Sequence, residues 1–141
     1  MPEIHLTSDA ERALREAEKL CHATNVAIQA PEHLLAGALL VLRESGGEGI
    51  PERPALEAAV LAIHGASDEP LNAQVMWGSA VREALNLTAG SVAAAGGTEI
   101  DARIIAMGLV ESGEVNPMFY AAAGTAKAAL LGAITDGLKG D

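Results

Sequence analysis

Apolar residues recur along this chain at helical spacing, and two stretches near its start set the pattern. Ala10, Ala13, Leu14, Ala17, Leu20 and Cys21 fall at the three- and four-residue intervals of one helical face. Thr7 precedes them as a side-chain cap, and Asp9 and Glu11 stand where the positive end of a helix favours acids, so a helix is predicted from Ser8 to about Ala23. Its remaining face, Glu11, Arg15, Glu18 and Lys19, is charged and reads as solvated. After a loop from Thr24 to Ala30, Pro31 and Glu32 open a second helix, Pro31 to about Leu42, that is apolar almost throughout. A helix apolar on all sides belongs in an interior, and the rest of the chain is organised around it.

The pattern continues with further helices and no strand. Ser45 to Gly49 breaks the second helix, and a third is predicted from Pro54 to about His64, burying Leu56, Val60 and Ile63. Gly65 to Pro70 reads as a linker. Helical spacing resumes at Trp77 or Ser79 and runs through Val81, Ala84, Leu85 and Val92. Asp101 to Glu111 is another helix, stopped by Gly113. Asn116-Pro117 starts a short helix to Ala123, and Gly124-Thr125 opens a last one to about Leu138. Gly96-Gly97-Thr98-Glu99 lies between two helices without a preceding strand or a lysine, which makes it a flexible turn rather than a phosphate loop.

The second half can be laid on the first at a constant offset of 71 residues. Ser8 then meets Ser79, Ala13 meets Ala84, Leu14 meets Leu85, Ala23 meets Ala94 and Gly37 meets Gly108, with Leu34 on Ile105. This reads as an internal duplication. One domain over residues 1–141 is predicted, with a first repeat at about 7–65, a linker at about 66–76 and a second repeat at about 77–138.

Two motifs carry a family resemblance. Leu6-Thr7-Ser8-Asp9-Ala10, followed about 25 residues on by Glu32-His33-Leu34-Leu35, resembles the N-terminal domain of the Clp (Hsp100) AAA+ unfoldases. Their repeat begins Phe/Leu-Thr-x-x-Ala and carries a Glu-His-Leu-Leu helix. The resemblance implies an all-α bundle of two pseudo-symmetric helical repeats. It also implies a ligand site: in C-type Clp unfoldases each repeat binds phosphoarginine through the helix-start Thr and the Glu of Glu-His. Carried over, that is Thr7 and Glu32 in the first repeat. The second repeat has Gly78 and Arg103 at those positions, which removes the hydroxyl and reverses the charge, so its site is expected to be degenerate.

Composition narrows the partners. The formal charge of −10 over 141 residues disfavours nucleic acid and anionic membranes and suits a basic or cationic ligand. Half of the residues are hydrophobic while Trp77, Phe119 and Tyr120 are the only aromatics, so the core must be built from Ala, Leu, Val and Ile. The longest apolar run, Leu34 to Leu42, is far short of the roughly 20 residues that span a bilayer. Cys21 is the only cysteine, which points to a reducing cytoplasm.

Other candidate residues favour structural roles. Glu32 and Thr7 also read simply as a helix-start acid and a cap. His33 lies beside an apolar face as a structural histidine, and His5, His22 and His64 have no metal-ligand spacing, so no zinc site is expected. Cys21 reads as a small buried hydrophobe, and Met118-Phe119-Tyr120 as core in preference to an exposed anchor. No Walker Lys-Ser/Thr motif occurs, so ATP hydrolysis by that mechanism is not expected, and neither catalytic residue nor cofactor is assigned. The reading is a non-catalytic module binding protein substrates, adaptors, a Clp ATPase or a peptide-like small molecule, in protein quality control or as a decoy. The alternatives are a small-molecule-binding protein or small enzyme, with the degenerate second repeat opened into an apolar pocket, and a structural dimerisation module.

Overall fold

Every residue of α2 (Pro31–Glu44) from Pro31 to Leu42 is buried, and the other helices are layered around it in a computed structural model that describes residues 4–65 and 74–139. Apolar side chains on all faces leave this helix no solvent side, so it can be stable only when enclosed. α1 (Ser8–Thr24) packs on it most intimately. Thr7 caps α1 by accepting from the Ala10 N–H, and Asn25 ends it in the left-handed conformation at φ 54°. The two helices approach so closely because position 37 is glycine: a Cβ there would lie 2.4 Å from the Ala13 carbonyl oxygen and 2.9 Å from the Ala17 nitrogen.

α3 (Arg53–His64) packs against α1 and α2, burying Leu56, Ala59 and Val60. In the second half, α4 (Ser79–Ala94) packs on α5 (Ala102–Ser112), and α5 also lies against α2. The short α6 (Met118–Ala122) crosses α3, and α7 (Lys127–Lys139) rests on α5. The fully buried side chains Leu34, Leu39, Ile105, Phe119, Leu130 and Ile134 come from both halves, so one core serves the chain. Helix ends differ from the sequence reading by one to three residues, as frayed last turns usually do.

Four two-residue strands were not foreseen. β1 (His5–Leu6) pairs in parallel with β4 (Glu99–Ile100), and β2 (Ile28–Gln29) pairs in parallel with β3 (Met76–Trp77). Each pairing ties the start of one half to the middle of the other. The two ladders are copies of each other at the 71-residue offset: the His5 N–H donates to the Thr98 carbonyl and the Met76 N–H to that of Ala27, both at 2.8 Å, and 5 + 71 = 76, 27 + 71 = 98. Likewise the Thr7 N–H reaches Ile100 O and the Gly78 N–H reaches Gln29 O, both at 3.0 Å. A pseudo-twofold between the halves produces this reciprocity.

The strands correct two expectations. Gly96 to Glu99 is not simply a flexible turn, since Gly96 turns the chain at φ 83° and Thr98 and Glu99 then enter the β1 pairing. The loop from Thr24 to Ala30 contains β2. Phe119 and Tyr120 are core, whereas Met118 is 57% exposed, a correction to the reading of all three as buried. Most of the linker predicted at about 66–76 lies outside the described residues. No helix among the described residues is long and apolar enough to cross a membrane.

Candidate functional site

Glu32 occupies the first turn of α2, where its charge suits the positive helix end. The chain folds it inward, leaving it 5% exposed. One carboxylate oxygen bonds Nε2 of His64 from the end of α3 at 2.9 Å, and the other accepts from the Asn116 N–H at 3.1 Å. A buried carboxylate must have both oxygens satisfied, and here the satisfying groups come from 32 and 84 residues away in sequence. Glu32 therefore fastens the start of α2 to the end of α3 and to the turn before α6.

His33, beside it, is fully buried and fully bonded. The Ala30 N–H donates to Nδ1 at 3.1 Å, so that nitrogen carries no proton and the neutral ring holds it on Nε2, which bonds Thr24 Oγ1 at 3.1 Å. The Thr24 hydroxyl passes on to the Leu20 carbonyl at 2.9 Å. The His64 ring stacks on His33 with centroids 4.4 Å apart. Burial, and then the neighbouring His64, push the His33 imidazole down to about 4, so it stays neutral and structural. Burial, with the Glu32 charge as a second cause, raises the Tyr120 phenol above its ordinary value. Burial, reinforced by Glu18, pushes the Cys21 thiol up to about 12, which makes it an inert hydrophobe.

The other residues singled out in the sequence fall elsewhere. Thr7 lies across the ladder from the second half: its hydroxyl is 3.4 Å from Ile100 O and also bonds Asp9. Gly78 lies reciprocally against the first half, where a Cβ would come 2.8 Å from Gln29 O. The pseudo-twofold thus sets each α1- or α4-start beside the opposite half, Thr7 next to Ile100 and Gly78 next to Gln29. Arg103 donates to the Ile134 carbonyl of α7 at 2.7 Å. Among the described residues, no group of three or more His, Cys, Asp or Glu side chains is arranged to hold a metal ion.

An apolar concavity of the described surface lies in the second half. α4 and α5 together form a groove of about 480 Å³, lined by Leu87, Thr88 and Val92 from one helix and Ile104, Met107 and Gly108 from the other. It runs from Ala84 to Ala95, twelve residues and so about 16 Å along α4 and its cap. Leu87 at its edge is 64% exposed. Two of its three hydroxyls are committed within their own helices, Thr88 to Ala84 O at 2.8 Å and Ser112 to Leu109 O at 2.7 Å, leaving the Ser91 hydroxyl and the Glu111 carboxylate as its remaining polar groups. A trough lined mainly by apolar side chains suits apolar groups. The residues were hidden in the sequence because Leu87, Ile104 and Met107 fit the apolar periodicity of ordinary core positions.

No protein-family model and no curated protein matches this sequence. Solved structures do match. The crystal structure of the N-terminal domain of the caseinolytic protease associated chaperone ClpD from Arabidopsis thaliana aligns with a TM-score of 0.74, over 94% of this chain and 96% of that one, at 18% identity. The chain has the Clp N-domain fold. At that identity the likeness is one of architecture, and it accounts for the all-α class and the paired repeats. What this version of the Clp N-domain fold binds has to be argued from its own surfaces.

Proposed function

We propose that the chain is a non-catalytic protein-binding module, which engages exposed apolar segments of protein substrates or adaptors through the groove between α4 and α5. The observation that carries this reading is the groove itself: it is preformed and lined mainly by apolar side chains, and Leu87 among them is solvent-exposed. Large exposed apolar surface is costly to leave in water and marks interaction sites. Fold-level likeness to a chaperone N-domain supports the same direction by analogy. The setting we infer is cytoplasmic protein quality control, alone or with a Clp ATPase. The single buried Cys21 and the charge of −10, which favours basic segments, fit that setting.

A guanidinium-reading site at Thr7 and Glu32 is the competing proposal from family resemblance. It requires Glu32 to leave both His64 and the Asn116 N–H, and Thr7 is bonded toward Ile100. The groove requires no such rearrangement. The test is the affinity for a dye-labelled, permanently unfolded protein, read by fluorescence anisotropy. Met107→Glu, which places a charge on the groove wall, is expected to weaken binding at least about tenfold, or about 1.4 kcal/mol. Glu111→Lys should weaken binding of basic segments. Undiminished affinity in a folded Met107→Glu protein would refute the proposal.

A further inference from the structure

We infer that the α4–α5 groove is a seat for one amphipathic α-helix of a partner protein, apolar on one face and basic on the other, docked as α3 docks in the first repeat. The inference deepens the protein-binding reading above and rests on it.

The first repeat shows what covers the equivalent surface. Subtracting 71 turns Leu87 into Glu16, Val92 into Cys21, Ile104 into His33 and Met107 into Ala36. α3 lies over that face of α1 and α2: Arg53 at its start bonds Glu16 at 3.2 Å, and the His64 ring at its end stacks on His33. Between those anchors Leu56, Ala59 and Val60 are fully buried and Ile63 packs against the core, an i, i+3, i+4, i+7 stripe. By the same offset, α7 is the helix due over α4 and α5, since 56 + 71 = 127 is its first residue. It rests instead on α5, with Ile134 O held by Arg103, and leans toward the first half, where a Cβ at Gly49 would come 3.1 Å from that of Ala133. The groove walls are made of α4 and α5 residues, with Leu87 in the open.

Physical chemistry selects a helix over an extended segment. An extended chain entering this trough would desolvate a backbone N–H and C=O at every residue, and with the Thr88 and Ser112 hydroxyls already committed the Ser91 hydroxyl and the Glu111 carboxylate are too few to answer them. A helix brings its backbone bonds with it. The seat also departs from its first-repeat counterpart in a way that defines the guest. Apolar Leu87 and Ile104 replace Glu16 and His33, so both ends of the guest stripe should be apolar. Glu111 replaces Leu40 and sets a carboxylate at the edge, where a Lys or Arg of the guest meets it.

The test uses two labelled peptides of about 14 residues, some four turns. One carries Leu, Ala, Val and Ile at the α3 spacing with lysines elsewhere. The other has the same composition with a central proline that blocks the helix. The helical peptide is expected to bind by anisotropy and to gain helical circular dichroism on binding, and the proline peptide to bind at least tenfold more weakly. Leu87→Glu, at an exposed position that should not disturb folding, and Glu111→Lys should each weaken the helical peptide severalfold. Equal binding of both peptides, weakened alike by Leu87→Glu, would overturn the helix while leaving the groove as the binding site. Binding indifferent to both Leu87→Glu and Met107→Glu would overturn the protein-binding reading as well. Self-association of the protein that is lost in Leu87→Glu would overturn the partner helix in favour of a second copy.

Discussion

Replacing Gly37 by alanine probes the contact on which the fold depends. A methyl at this position would lie 2.4 Å from the Ala13 carbonyl oxygen and 2.9 Å from the Ala17 nitrogen, both backbone atoms that no rotamer change can move. Ordinary non-bonded separation is about 3.5 Å, so α1 and α2 must part by about 1 Å, a gap that forfeits a quarter to a half of the dispersion energy of every contact across it. Overpacking costs typically about 1–3 kcal/mol, and a clash with backbone belongs at the upper end. Against this, alanine gains about 1 kcal/mol of helix propensity over glycine. The expected net loss is about 2 kcal/mol, or about 6–10 °C in Tm for a chain of this size, read by thermal and urea unfolding followed by circular dichroism. Two controls bracket it. Gly90 has nothing within 4 Å, so Gly90→Ala should stabilise by about 0.5–1 kcal/mol. Gly108, the repeat counterpart of Gly37, faces the Thr88 hydroxyl, which can turn away, so Gly108→Ala should fall between. A Gly37→Ala protein as stable as the parent would refute the close approach of α1 and α2.

Further outcomes follow from the buried polar cluster. His33 binds its proton at about 4 when folded and at 6.5 as a free side chain, so the unfolded state takes up more protons between those values. At about 1.36 kcal/mol per pH unit, stability should fall by about 3 kcal/mol as pH drops from 6.5 to 4, and a His33→Leu variant, though less stable, should lose much of that slope in urea melts across the window. Glu32→Ala strands the Asn116 N–H and His64 and should cost about 1–3 kcal/mol. A Glu32→Ala protein as stable as the parent that no longer binds phosphoarginine by calorimetry would instead give this carboxylate a ligand role. Cys21 should resist a thiol reagent at neutral pH in the folded protein and react fully in guanidinium, and rapid native labelling would contradict its burial.

The helices were legible because their signals are local. Thr7, Pro31, Asp101 and Gly113 mark ends within one turn of where they act, and apolar spacing fixes the inward faces. The strands were not, because each is two residues long and its partner is remote, His5 pairing with Glu99. No alternation can develop over two residues. Glu32 was legible as a helix-start acid, but its burial depends on His64 and Asn116 arriving from other elements, which no local pattern records. The groove was anticipated only as an opened second repeat. Its position follows from where α7 comes to rest, and that is decided by tertiary packing against α5 and the turn at Gly49.

Nuclear magnetic resonance maps directly where a client binds. Titrating the isotope-labelled protein with an unfolded client should shift the backbone signals of Leu87, Ser91, Ile104, Met107 and Glu111 along the two groove helices, leaving the surroundings of Thr7 and Glu32 unchanged. Shifts centred on Thr7 and Glu32, with the α4 and α5 signals still, would contradict the account.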